Sequence, residues 1–108
     1  MPYGLEPHII SKIKTIFINY PQIDKVVLYG SRAKGNYEIG SDIDLTVIGD
    51  NIGLSVINKI ENELDDLLLP YTIDISIFSH IKNEKLLDHI NRVGKDFYVK
   101  DSFEEPLI

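Results

Sequence analysis

The sequence predicts a small α/β (α+β) protein in which a mixed β-sheet of three to four strands packs against helices. Three observations lead to this fold class. Some segments carry apolar residues at helical spacing, and others alternate strictly between apolar and polar residues. Glycine and proline fall between these segments, where the chain must turn. The predicted order of elements is α-β-(short α)-β-α-β-α.

The first helix and the first strand are marked by prolines and by an apolar run. Pro7 suits the first position of a helix, because its missing N–H costs nothing there. Isoleucines then recur at helical spacing until Pro21, which predicts a helix over about residues 6–19. The continuously apolar stretch that ends at Tyr29 is typical of a short strand covered on both faces.

A short helical turn and a second strand follow. Residues 32–34 are predicted to form one helical turn that Gly35 ends. Residues 36–41 are rich in turn formers and are predicted to form a loop. Residues 42–48 alternate, so that two aspartates and a threonine point to one face and aliphatic side chains to the other.

Two more helices and a third strand complete the predicted core. Leucines and isoleucines at spacings of three and four predict a helix over about residues 54–68, with its cap in the turn Gly49-Asp50-Asn51. Residues 71–78 alternate and predict a strand. Ser79 is expected to cap the last helix, and Gly94 to end it.

Length and composition limit the class of protein. A chain of 108 residues predicts one domain, here over residues 1–100 with a short strand at 97–99, followed by a flexible tail over 101–108. The lack of cysteine excludes disulfides, thiolate zinc sites and thiol nucleophiles. The net charge of −6 argues against direct nucleic-acid binding. With neither a signal-like start nor an apolar run near the ~20 residues that span a bilayer, we expect a cytoplasmic protein without membrane contact.

The most informative stretch begins with a Gly-Ser turn after the first strand and ends with two aspartates. Backbone N–H groups at Gly30 and the hydroxyl of Ser31 suit phosphate oxygens. Asp42 and Asp44 lie two residues apart on a strand, so their carboxylates share a face. Carboxylates in this arrangement suit hard cations such as Mg²⁺. The combination predicts a metal–nucleotide site.

A third carboxylate is expected to join this site. Asp74 lies on the polar face of the next alternating strand, and it meets Asp42 and Asp44 if the two strands are neighbours. Three close, unpaired carboxylates repel one another, and a divalent metal removes that penalty. Each feature alone has an ordinary explanation, namely a solvated strand edge or a common turn. Their joint occurrence in this order favours the chemical interpretation.

Several charged residues are open to two interpretations. Arg32 and Lys34 follow the Gly-Ser turn, and each is either a phosphate contact or a solvated charge. The histidines are scattered at helix starts or helix faces, and we interpret all three as structural or surface residues: His8, His80 and His89.

The motif resembles the minimal nucleotidyltransferases of the DNA polymerase β-like superfamily. Gly-Ser, ten residues and Asp-x-Asp, with Arg-Ala-Lys-Gly and Ser41 between them, match the family pattern, and the predicted element order extends the match over about residues 5–100. The family's common Arg-Ala-Arg-Gly appears here with lysine in third place, which keeps the charge. In its length the chain resembles the small antitoxins of the HEPN/MNT toxin–antitoxin type within this superfamily. The resemblance implies the nucleotidyltransferase fold.

The resemblance also implies roles for the site residues. Gly30 and Ser31 would hold the β- and γ-phosphates of ATP, the nucleotide donor. Asp42 and Asp44 would bind both of two Mg²⁺ ions, and Asp74 would bind the catalytic ion and help to deprotonate the attacking hydroxyl. The family's antitoxins transfer AMP from ATP to a tyrosine of the toxin.

The expected partner is therefore a helical HEPN-type protein in a hetero-oligomer, with a nucleoside triphosphate as co-substrate. Two alternatives stay open at this point. One is a small-molecule nucleotidyltransferase of the aminoglycoside-modifying type, completed by another subunit. The other is a non-catalytic nucleotide-binding subunit that silences its partner by contact alone.

Overall fold

The structure, a computed structural model, describes residues 1–101. It confirms a mixed α/β fold with a four-stranded sheet. The predicted tail falls almost entirely on residues 102–108, which lie outside the described residues. The helices and strands have the following bounds: α1 Pro7–Ile18, β1 Ile23–Tyr29, α2 Ser31–Lys34, β2 Ile43–Gly49, α3 Leu54–Asp66, β3 Ile73–Ile77, α4 Glu84–Val93 and β4 Lys95–Val99.

The sheet has the strand order β3-β2-β1-β4. The strand β1 pairs antiparallel with both β2 and β4, whereas β2 and β3 are parallel and are joined by the crossover helix α3. The register of the parallel pair sets Asp44 opposite Asp74. In the antiparallel pair, Tyr29 is opposite Asp44. Three neighbouring strands thus bring Tyr29, Asp44 and Asp74 into one row across the sheet.

The two faces of the sheet are covered differently. One face carries the main core, in which buried residues of α1 and α3 pack against alternating strand residues, among them Ile13, Phe17, Leu28, Leu45 and Ile60. The other face has a smaller cluster, in which Val27 and Tyr29 pack against Ile90 of α4. Because strand side chains alternate, the polar residues of β2 and β3 lie on the α4 side of the sheet.

The helix caps differ from the prediction at two places. The residue that precedes α3 is Gly53, not a residue of the predicted cap in 49–51, because Asn51 adopts a positive φ of 57° and the turn runs further. The cap of α4 is Asn83, whose side chain accepts hydrogen bonds from the backbone N–H groups of Lys85 and Leu86. Ser79 instead lies in a 3₁₀ turn directly after β3. Such a cap is worth about 1 kcal/mol.

The end of the described chain is tied to the first strand. The backbone N–H of Lys100 donates to the carbonyl of Asp24, and its ammonium lies 2.9 Å from the Asp24 carboxylate. The domain limit near residue 100 stays a prediction.

Within residues 1–101, every helix is too short or too polar to cross a bilayer.

Candidate active site

The Gly-Ser turn joins β1 to α2, and only glycine fits its first position. Gly30 has φ 76° and ψ −158°, a combination that residues with a side chain rarely adopt. A Cβ atom built on Gly30 would lie 2.3 Å from Oδ2 of Asp44. The missing side chain therefore lets a carboxylate lie directly against the turn. This close approach joins the predicted phosphate-binding turn and the predicted acid cluster into one site.

Ser31 opens α2, which is a single helical turn. The N–H of Lys34 donates to the carbonyl of Gly30 at 3.1 Å, and the N–H of Gly35 donates to the carbonyl of Ser31 at 2.9 Å. Gly35 then leaves the helix with a left-handed φ of 91°, as its predicted role as helix stop requires. Ser31 is half-buried beside Gly30, and Lys34 is exposed.

The acids of β2 and β3 lie side by side. Asp44 and Asp74 are register partners on adjacent parallel strands, which run about 4.8 Å apart, and their side chains point to the same face. Asp42 comes directly before β2, two residues from Asp44, and alternation puts it on that face as well. Asp44 is half-buried, whereas Asp42 and Asp74 are exposed. The structure thus places the three predicted acids on one face of the sheet, with Asp44 and Asp74 as direct neighbours.

The site is electrostatically negative. Burial raises the pKa of Asp44 above its ordinary value, Asp74 and Asp42 raise this pKa further, and a positive charge on His89 would lower it. Burial likewise raises the pKa of the Tyr29 hydroxyl; a hydrogen bond with Ser76 opposes that shift, and Asp74 and Asp44 add to it. A bound cation would relieve this mutual repulsion.

The acids suit a Mg²⁺ ion that is shared with a nucleotide, rather than one that is bound by protein side chains alone. Among residues 1–101, no group of three His, Cys, Asp or Glu side chains converges closely enough to hold a metal ion alone. Mg²⁺ usually takes only one or two carboxylates from the protein, and substrate phosphates and waters complete its coordination. Asp42 and Asp44, next to the Gly-Ser turn, offer that donor set.

Arg32 is buried, so its interpretation as a solvated charge is wrong. It is 3% exposed, and its guanidinium donates two hydrogen bonds to the carbonyl of Ser41, at 3.0 and 2.9 Å, and one to the carbonyl of Tyr3, at 2.9 Å. The rings of Tyr37 and Tyr71 lie 5.4 and 5.0 Å from it. Arg32 thereby holds the loop that leads into Asp42. Contacts of Arg32 or Lys34 with phosphate stay predictions.

His89, interpreted from the sequence as a structural or surface residue, contacts the Gly-Ser turn, and the sequence did not predict this contact. The N–H of Gly30 donates to Nε2 of His89 at 3.0 Å, and the imidazole meets the Tyr29 ring edge-on at a centroid distance of 6.2 Å. The Gly30 N–H therefore already has an acceptor, and its predicted contact with phosphate would require an exchange of partners. The helical spacing contained a signal, because His89 follows Leu86 by three residues and therefore lies near the side of α4 that packs on the sheet.

A Gly-Ser turn beside carboxylates on adjacent strands of a small mixed sheet agrees with the nucleotidyltransferase class of fold expected from the sequence. The family model "Polymerase beta, Nucleotidyltransferase" matches residues 11–103. The chain belongs to this family. The fold predicted from the sequence is thus confirmed. No curated protein is similar enough to the chain to count as a match.

Solved structures with a similar fold include toxin–antitoxin complexes. A toxin–antitoxin crystal structure with AMP-PNP superimposes with a TM-score of 0.68 at 19% identity, over 85% of this chain and 74% of that chain. A tri-AMPylated Shewanella oneidensis HEPN toxin in complex with MNT antitoxin gives 0.65 at 17% identity, over 89% and 74%. A putative nucleotidyltransferase from Sulfolobus solfataricus gives 0.51 at 17%, over 91% and 83%. At these identities the likeness shows the fold alone.

Proposed function

We propose that this protein is an adenylyltransferase that moves AMP from ATP to a tyrosine hydroxyl of a helical HEPN-type toxin and thereby acts as its antitoxin. The observation that carries the proposal is the in-register pair Asp44 and Asp74, set against the Gly30 turn. Support comes from similar folds crystallised with AMP-PNP and with an AMPylated HEPN toxin. The reaction belongs in the cytoplasm, which supplies ATP.

Nucleotide binding is assigned to the turn and the two acids of the Asp-x-Asp motif. The Ser31 hydroxyl donates to a phosphate oxygen, and the exposed Lys34 adds positive charge near the triphosphate. Asp42 and Asp44 repel a bare triphosphate, so the substrate is the magnesium complex of ATP. Two Mg²⁺ ions, when bound, supply activation of the acceptor oxygen and neutralise charge on the pyrophosphate leaving group.

The transfer itself needs a base near the acceptor, and Asp74 takes that part. The tyrosine oxygen attacks the α-phosphorus, the bond from that phosphorus to the pyrophosphate oxygen breaks, and the phenolic proton passes to Asp74. The products are an AMP ester of tyrosine and pyrophosphate. Asp74 is exposed on β3, which is an edge strand of the sheet, so an acceptor carried by another protein can reach it. Proton transfer of this kind contributes about 10²–10⁴-fold to a rate.

The charge of the chain favours a basic protein partner. With a net charge of −6, the protein attracts a positively charged surface and repels RNA. An RNA-cleaving toxin needs such a basic surface for its own substrate. The proposed assembly is therefore a hetero-oligomer in which the toxin supplies both the acceptor and the surface that orients it.

The decisive experiment incubates the purified protein and a HEPN-type toxin with Mg²⁺ and each of ATP, GTP, CTP and UTP, and then measures the intact mass of the toxin. We expect one or more AMP additions on toxin tyrosine with ATP. The control is the double variant Asp42→Asn, Asp44→Asn, which should add none. Modification of a small molecule instead of the toxin would favour the aminoglycoside-type alternative. Toxin neutralisation without any mass change would favour the non-catalytic subunit.

A further inference from the structure

The contact between α4 and the Gly-Ser turn joins residues that are 59 positions apart. Nε2 of His89 accepts the hydrogen bond of the Gly30 N–H at 3.0 Å. An imidazole nitrogen accepts a hydrogen bond only when it carries no proton, so this bond requires Nε2 to be unprotonated. The family assignment and the three acids do not account for this bond.

The hydrogen bond from Gly30 to His89 restrains the backbone at a residue with little conformational preference of its own. Glycine has more conformational freedom than any other residue, so Gly30 does not hold its unusual φ and ψ unaided. Two hydrogen bonds hold the peptides on either side of it. The carbonyl of Gly30 accepts from the N–H of Lys34, within α2, and the N–H of Gly30 donates to His89, on α4. Of these two bonds, the second is the one that ties the turn to a separate element of the fold.

The helix α4 is itself held firmly against the sheet. Ile90, next to His89, is 4% exposed and packs in one cluster with Val27 and Tyr29. At the end of α4, a Cβ atom on Gly94 would lie 2.7 Å from Cγ1 of Val27, so glycine allows the chain to approach β1 closely. This packing carries the imidazole to the turn. Tyr29, which the ring touches edge-on, is opposite Asp44 in the sheet.

The choice of histidine suits the charge of the site. A carboxylate could also accept the Gly30 N–H, but it would add a fourth negative charge beside Asp44 and the incoming triphosphate. Lysine and arginine have no acceptor atom. A neutral imidazole accepts the bond without adding negative charge.

We propose that His89 is a positioning residue for nucleotidyl transfer, which holds the Gly30-Ser31 turn in the orientation that presents Ser31 and Asp44 to the nucleotide. The proposal rests on the proposed function and adds a residue to its site. A positioning residue acts through the turn that it holds, so the effect of His89 should appear on the ATP side of the kinetics.

The test compares His89→Leu with His89→Gln, and uses His8→Leu on the exposed start of α1 as control. Leucine keeps bulk but removes the acceptor, whereas the glutamine side-chain oxygen can replace Nε2. With toxin as acceptor, we expect His89→Leu to lower kcat/KM for ATP about 10-fold, with the KM for the toxin unchanged. We expect His89→Gln to recover most of the loss and His8→Leu to match wild type.

A second measurement is independent of transfer. Hydrogen exchange of the Gly30 amide, followed by NMR, should be about 10-fold faster in His89→Leu than in wild type. In His89→Gln the exchange should be slower than in His89→Leu and close to the wild-type rate. Equal exchange in all variants, or equal kinetics in the leucine and glutamine variants, would overturn the proposal. A fall in the melting temperature of His89→Leu, with the KM for ATP and the KM for the toxin changed equally, would also overturn the proposal. That result would mean that His89 only stabilises the fold.

Failure of the proposed function is separable from failure of this inference. If wild type binds AMP-PNP with Mg²⁺ but modifies no acceptor, the transfer reaction is refuted. The order of AMP-PNP affinities among wild type, His89→Gln and His89→Leu, measured by calorimetry, then decides the role of His89. A wild type that binds no AMP-PNP refutes both.

Discussion

Replacement of Gly30 by alanine should separate the catalytic role of the turn from its structural one. The backbone at φ 76° and ψ −158° lies in a region that is almost restricted to glycine, and a side chain there costs about 1–3 kcal/mol. The new Cβ would also lie 2.3 Å from Asp44 Oδ2. Because that atom ends a short side chain, the carboxylate can rotate away at small further cost. The loss of stability should therefore stay near the backbone cost, while the acid leaves its position.

Gly35→Ala is the matched control. Gly35 also has a positive φ, of 91°, but a Cβ atom there would meet no atom within 4 Å. Both variants should lose about 1–3 kcal/mol in urea unfolding, or roughly 4–8 °C in melting temperature per kcal/mol. Only Gly30→Ala should also lose most of its transfer rate, at least about 100-fold, because a carboxylate displaced by about 1 Å costs that much. If Gly30→Ala transfers AMP at the rate of Gly35→Ala, the contact between the turn and Asp44 has no catalytic importance.

Four further predictions test the remaining parts of the site. The double variant Asp42→Asn, Asp44→Asn should keep or gain stability without metal and still bind the toxin in calorimetry, but it should no longer neutralise it. In the metal-free wild type, Asp44 holds its proton more tightly in the folded protein than in the unfolded chain, because its pKa is raised. The free energy of unfolding should therefore fall as the pH rises from the ordinary aspartate pKa through the raised pKa of Asp44. This pH dependence should be smaller in the double variant, which lacks the Asp44 carboxyl. Ser31→Ala should weaken AMP-PNP binding by about 1.5–3 kcal/mol, the range for a hydrogen bond to a charged group, with an unchanged melting temperature. Arg32→Ala should cost about 2–4 kcal/mol in urea unfolding, because it leaves the carbonyls of Tyr3 and Ser41 without their donor, and Arg32→Lys should not restore it.

The elements that the sequence predicted well are those with a strong local period. The helix predicted over residues 6–19 is α1, and the alternating segments from residues 42 and 71 contain β2 and β3. In both strands alternation also assigned the faces, which is why Asp44 and Asp74 could be predicted to meet once their strands were neighbours. A period of two fixes which side chains share a face, whatever the strand packs against.

The features that escaped prediction depend on packing between distant parts of the chain. Arg32 is buried because the tyrosine rings at residues 37 and 71 enclose it and because a carbonyl near the N-terminus, of Tyr3, faces it. His89 reaches Gly30 only because α4 docks on β1. Neither contact leaves a periodic trace near the residue concerned. The caps of α3 and α4 shifted for a more local reason, since irregular turns lengthened the connections before both helices.

The position of Asp74 on an edge strand has a consequence for how such an enzyme would choose its substrate. The proposed base is exposed at the rim of a four-stranded sheet, and the acceptor has to approach it from outside the domain. A hydroxyl on a free small molecule would reach Asp74 in many orientations and stay there briefly. A tyrosine fixed on a docked protein arrives in one orientation and at high local concentration. Recognition of the toxin and acceleration of the reaction would then depend on the same docking step. A variant of the interface that weakens docking would therefore lower the rate of modification without any change at the three aspartates.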